Sequence, residues 1–216
     1  DMRFQLNGEW HDTPAGVAHF LEHKMFDTKD GNALQDLAAN GASPNAFTSS
    51  AITGYYFEST EKFEENLKIL LSFVSEPWFT PESVDKEQGI IGQEIRMIED
   101  DPENQVFYGM METLYVHNPI KVSIAGTVES ISHITADTLY SCHAAFYNPG
   151  NMVLCVAGNV DPERICEIAR EILPREGIAD IPRDYGGEEP ETAAMPEKVQ
   201  RMEVSTPIFQ LGWKAD

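Results

Sequence analysis

Residues 19 to 23 read His19-Phe20-Leu21-Glu22-His23, and the rest of the chain is best understood outward from them. On a helix, positions four apart are separated by about 40° of rotation and roughly 6 Å of rise. His19 and His23 therefore project from one face, one turn apart, as two imidazoles on one divalent metal require, most often zinc. Glu22 adjoins His23 and neighbours His19 through the i,i+3 relation. A carboxylate there can take a proton from an activated water without being a ligand. The order H-x-x-E-H mirrors H-E-x-x-H and is a zinc-hydrolase signature. Two histidines at this spacing also occur as solvated or core residues. Apolar flanks (Val17, Ala18, Met25 and Phe26) imply a largely buried helix, and burying two His and a Glu without partners costs several kcal/mol, on the order of 2–7 per polar group.

The chain has 216 residues, 42% of them hydrophobic, which suits one large domain or two small ones. No apolar run reaches the length of a membrane span. No basic leader followed by an apolar stretch opens the sequence. Net charge is −21, which argues against a nucleic-acid backbone as partner. Cationic peptides fit that charge, as does simple solubility. Cys142, Cys155 and Cys166 show no C-x-x-C pairing. Reduced thiols and a cytoplasmic location are the expectation.

Along the chain, 2–6 alternates as a strand, and a helix over 17–26 carries the motif. A polar turn at 27–31 leads to a helix over 32–39 that stops at Asn40-Gly41. Residues 45–50 and 53–60 predict a β-hairpin, rich in Tyr55, Tyr56 and Phe57. A helix over 62–75 follows, its stripe formed by Phe63, Leu67, Leu70, Leu71 and Val74. Pro81 opens a long helix to Glu99; another runs over 102–116, and Thr135 caps one over 135–146. The apolar run 152–157 predicts a strand, Asp161 to Leu173 a helix, and 201–213 a last strand. Residues 174–198, rich in Pro, Gly and Glu, read as a loop or linker. The order predicts an α+β fold: a mostly antiparallel sheet with helices packed on one side.

A hydrolytic zinc takes three protein ligands and keeps one position open. The long helix offers Glu82, Glu87, Glu94 and Glu99. Glu87 and Glu94 are seven apart and share a face with Ile91, Ile95 and Ile98. Glu94, between Ile91 and Ile95, is the favoured ligand. Glu87 is then a supporting carboxylate for a ligand imidazole or for Glu22, although spacing alone does not separate the two. Gly89 and Gly92 each cost about 1 kcal/mol against alanine in a helix, which suggests that another backbone or helix packs closely there.

Gly16-Val17-Ala18-His19-Phe20-Leu21-Glu22-His23, Asn45-Ala46-Phe47-Thr48 and the run Lys86 to Ile95 together resemble the M16 metallopeptidases. Gly126-Thr127 and Asn148 to Met152 add to the likeness, which spans nearly the whole chain and is strongest towards a bacterial YmfH-like group. The resemblance implies zinc held by His19, His23 and Glu94, with Glu22 as general base and Glu87 as the earlier glutamate of the family's pair. It implies that Asn45, Ala46 and Phe47 bind extended peptide as an added strand; core packing is the competing role for Phe47. It also implies a peptide or small-protein substrate and a second homologous domain or subunit. Residues 1–216 would then be a single N-terminal zinc-binding domain of a longer chain, weakly active or inactive alone. Three other functions compete: an assembly subunit of the same fold, a passive metal-binding module, and a different H-x-x-E-H hydrolase that relies on a catalytic cysteine.

Overall fold

The computed structural model describes residues 2–174, 177 and 180–215. Four parts of the linker read over 174–198 (residues 175, 176, 178 and 179) lie outside that set. The chain opens with strands β1 (Arg3–Leu6) and β2 (Glu9–Asp12), then α1 (Val17–Met25), β3 (Asp27–Thr28), β4 (Gly31–Asn32) and α2 (Ala33–Ala39). The hairpin β5 (Ser43–Thr48) and β6 (Thr53–Glu58) leads into α3 (Phe63–Ser75), α4 (Pro81–Asp100) and α5 (Pro102–Leu114). Then come α6 (Val128–Ser132), α7 (Ala136–Phe146), α8 (Pro162–Ile172) and β7 (Arg183–Asp184).

The α+β class holds, and every pairing among the described residues is antiparallel. The strands are divided among three small sheets, ordered β2-β1-β7, β3-β4 and β5-β6. One core joins them. Phe4 of β1, Phe20, Leu21 and Met25 of α1, Leu37 of α2, Ile91 and Ile95 of α4, and Leu139 of α7 are all buried in it. A smaller cluster of Leu67, Leu71 and Ile168 seals α3 against α8. No helix among the described residues is long and apolar enough to cross a membrane.

Local chemistry explains where the site-bearing helices begin. Thr80 and Ser83 form a reciprocal capping box at the start of α4, with Pro81 in the first turn; this satisfies donors that a helix N-terminus otherwise leaves free. Asn32 caps α2 by accepting from Leu34 N–H. The entry to α1 uses backbone contact instead. Gly16 has φ 93°, and a Cβ there would stand 2.4 Å from the Ala125 carbonyl oxygen. Gly126, at φ 74°, would meet the Ala15 carbonyl oxygen at 2.3 Å. Only glycine tolerates both demands. Ser130 Oγ donates to Ala15 O at 2.7 Å and closes the junction, so the start of α1 is pinned to the start of α6.

Two predicted strands do not form. Residues 152–157 and 201–213 are in no strand; Val153 is 93% exposed and Phe209 82%. Both have the apolar content of a strand, but among the described residues no strand pairs with either. The close packing expected at Gly89 and Gly92 is also absent, since a Cβ at either would meet nothing within 4 Å. The short strands β2, β3, β4 and β7 and the helix α6 were not foreseen.

Candidate metal and peptide site

Helix α1 carries the motif and α4 crosses it. Phe20 and Leu21 turn into the core, which leaves His19, Glu22 and His23 facing α4 and the hairpin. The His19 and His23 rings sit edge to face, with centroids 4.6 Å apart. On α4, Ile91 and Ile95 are buried and bring Glu94 over the two imidazoles. Glu94 lies 3.5 Å from His19 Nε2 through one oxygen and 3.7 Å from His23 Nε2 through the other. One donor atom from each of His19, His23 and Glu94 falls within 4.8 Å of the other two. Two imidazole nitrogens and a carboxylate suit zinc and leave room for a fourth ligand.

Glu87, two turns before Glu94, stands behind the site. Its Oε1 is 3.0 Å from His23 Nδ1, so it takes the first of the two roles expected for it, on an imidazole rather than on Glu22. That hydrogen bond raises the pKa of His23 above the usual histidine value, against burial. The same bond holds the Glu87 carboxyl below the usual carboxylate range; burial opposes it and Lys24 assists. Burial moves His19 the other way, with Glu94 opposing. His19 Nδ1 is buried and has no hydrogen-bond partner among the described residues.

Glu22 is only 8% exposed. Thr48 Oγ1 donates to its Oε2 at 2.5 Å. Behind them, the hydroxyls of Tyr55 and Tyr147 pair at 2.8 Å, and burial pushes both phenols well up. Strand β5 pairs with β6 on one side only, with Asn45 opposite Tyr56, Ala46 opposite Tyr55 and Phe47 opposite Gly54. Among the described residues its other edge has no strand partner. Phe47 is 46% exposed, its ring lying across Gly54, so the core-packing reading does not hold. Ala46 and Thr48 point inward while Asn45 and Phe47 point outward.

Sequence reasoning assigned no role to Thr48 or Lys24. Thr48 closes the Asn45–Thr48 run, and period-2 alternation puts it on the same side as Ala46. Lys24 follows Phe20 and Leu21 by four and three residues, which places it on the buried face of α1. A lysine on an apolar helix face was the available signal.

The insulinase model of peptidase family M16 matches residues 7–128, more than half of the chain. The chain belongs to peptidase family M16. A second M16 model, described as the M16 inactive domain, matches residues 133–216. Among M16 relatives, a zinc protease of Bacillus subtilis, YmfH, described as uncharacterized, is 47% identical over all of this chain and 51% of its own length. One from Mycobacterium leprae is 33% identical over 74% of this chain and 37% of its own length. The chain thus spans about half the length of the Bacillus relative, or less for the mycobacterial one. The crystal structure of a protein described as an M16-like peptidase, from Alicyclobacillus acidocaldarius, superposes with a TM-score of 0.83 at 39% identity, over 90% of this chain and 46% of that one.

Proposed function

We propose that the chain is the zinc-binding half of a metallopeptidase that hydrolyses peptide bonds in extended peptides. The observation that carries this reading is the convergence of His19, His23 and Glu94 donor atoms within 4.8 Å, with the buried Glu22 beside them. Zinc, when bound, polarises the scissile carbonyl and lowers the pKa of a water to about 7. Glu22 takes the proton of the attacking water and passes it to the leaving amine. Thr48 fixes which way the Glu22 carboxylate faces. Glu87 fixes the His23 ring, leaving Nε2 directed at Glu94. The open edge of β5 receives substrate backbone as an added strand, with Asn45 and Phe47 outward and Ala46 inward.

A second M16 domain or homologous subunit completes the enzyme in this proposal. Two facts support that part: the curated relatives are about twice as long or longer, and an apolar segment ending in Phe209, Leu211 and Trp213 lies exposed. Residues 1–216 alone are then expected to bind zinc with little turnover. A peptide or small protein as substrate and a cytoplasmic location belong to the same reading; the location rests on three free cysteines. A purely scaffolding role leaves a buried Glu22 and a three-donor cluster without a use.

The test is Glu22→Gln in the full-length protein. Zinc content is expected to stay at one per chain while peptide hydrolysis falls by about 10²–10⁴-fold, the usual worth of a general base. Hydrolysis at the wild-type rate would remove Glu22 from the mechanism.

A further inference from the structure

Lys24 is enclosed, at 2% exposed. A cation so placed needs counter-charges, and it has two. Its ammonium is ion-paired with Asp27 Oδ2 in β3, shortly after α1, and it stands 3.7 Å from Glu87 Oε2 on α4. Asn32 Nδ2 lies 3.4 Å from the other Asp27 oxygen. The two oxygens of Glu87 are thereby divided: Oε1 takes His23 Nδ1 and Oε2 faces Lys24. A polar line runs from Asn32 through Asp27, Lys24 and Glu87 to His23. It links the paired strands β3 and β4 to an imidazole of the metal site.

We propose that Lys24 is a positioning residue for the metal centre, holding Glu87 in the orientation that fixes the His23 ring. The inference rests on the metal reading of this site.

Three observations carry it. Glu87 has a long, rotatable side chain, and a single hydrogen bond to an imidazole does not fix both of its oxygens. The ammonium supplies the second contact from the opposite side. Next, His19 Nδ1 has no hydrogen-bond partner among the described residues, so the support behind the two imidazoles rests on the Glu87 arm. Groups behind a metal ligand set ring orientation and basicity, and removing one typically costs about 10–100-fold in metal affinity. Last, Lys24 gains its position from the fold of α1 itself, one residue after a ligand and on the buried face beside Phe20 and Leu21. A lysine serving only solubility would face the other way.

The test is zinc affinity of the 216-residue chain, measured by competition with a chromogenic chelator. It compares wild type, Lys24→Met, Glu87→Gln and the double variant. Lys24→Met keeps the length of the apolar stem. It is expected to weaken zinc binding about tenfold, and by less than twofold in the Glu87→Gln background. That non-additivity separates action through Glu87 from a general loss of structure, because a general loss would weaken zinc binding equally in both backgrounds. If Lys24→Met does not fold, Lys24→Met/Asp27→Asn removes the unpaired carboxylate as well, and the same tenfold loss is expected. A folded Lys24 variant that binds zinc within twofold of wild type overturns the proposal. So does an equal loss with and without Glu87. A wild-type chain that takes up no zinc removes the metal reading itself, and this proposal with it.

Discussion

Phe20 and Phe209 are the same side chain in opposite surroundings. Phe20 is wholly buried near the centre of α1, whereas Phe209 is 82% exposed in a segment that also carries Ile208, Leu211 and Trp213. The contrast extends to their neighbours. Around Phe20, α1 is clasped by α4, the β5–β6 hairpin and α7, and its polar groups find partners across those contacts. Around Phe209, residues 190–214 run in no regular element, and part of the segment is held to α5 by side-chain bonds such as Gln200 Nε2 to Gln105 Oε1 at 3.0 Å. An apolar pattern becomes structure only where another surface completes it. A helix satisfies its own backbone, but a strand depends on a neighbour.

That contrast can be broken by substitution. Phe20→Ala is expected to destabilise the chain by about 3–5 kcal/mol, as for other buried aromatics. Phe209→Ala should stay within about 0.5 kcal/mol, as for a surface change. Urea unfolding of both variants checks this, and equal losses would mean that residues 201–213 are packed in solution.

The next effect lies inside the enclosed half. Thr48→Val keeps the shape but removes the donor to Glu22. Under the proposed function it should lower kcat for peptide hydrolysis by the full-length protein about 10–100-fold, since a bond to a charged group is worth about 1.5–3 kcal/mol. KM should hold within twofold, and Thr48→Ser should restore the rate. Unchanged kcat in Thr48→Val would leave Glu22 oriented by something else.

Smaller again is the effect at the two helix glycines. Because a Cβ at Gly89 or Gly92 meets open space, Gly89→Ala and Gly92→Ala should each stabilise α4 by up to about 1 kcal/mol. A loss on thermal unfolding would show that something does pack there.

The smallest effect is a pH dependence at His143. Burial holds its pKa below 6.5, against the hydrogen bond between Nε2 and Val74 O at 2.9 Å. The unfolded chain therefore takes up a proton that the folded chain resists. Its contribution is present above pH 6.5 and is lost as pH falls from there through the lower folded value. Melting temperatures at pH 7.5 and 5.5 should differ less in His143→Gln than in wild type. An identical difference would place His143 in solvent.

Much of the site was legible in the sequence because it sits on helices, where spacing is geometry. The shared face of His19 and His23 at i,i+4, and that of Glu87 and Glu94 at seven residues, needed only the helical period; which glutamate stands over the imidazoles came from the family resemblance. Pro81 marked the start of α4 and the capping Thr135 that of α7. The hairpin was legible from its aromatic run, although its first strand begins two residues earlier than expected, at Ser43. Contacts between elements were not legible. Nothing local to Thr48 says that Glu22 lies opposite, and nothing local to Lys24 says that Glu87 does. Strands such as β7 have two residues and owe their existence to β1, not to their own propensity. The runs 152–157 and 201–213 show the converse, propensity without a partner.

The proposed function requires side chains from two separate helices, α1 and α4, to form one metal site. Zinc stoichiometry of the purified 216-residue chain, measured by inductively coupled plasma mass spectrometry after dialysis, tests it most directly. One zinc per wild-type chain is expected, the same in Glu22→Gln, and near zero in His19→Ala, His23→Ala and Glu94→Ala. Full zinc occupancy in Glu94→Ala, or none in wild type, would contradict it.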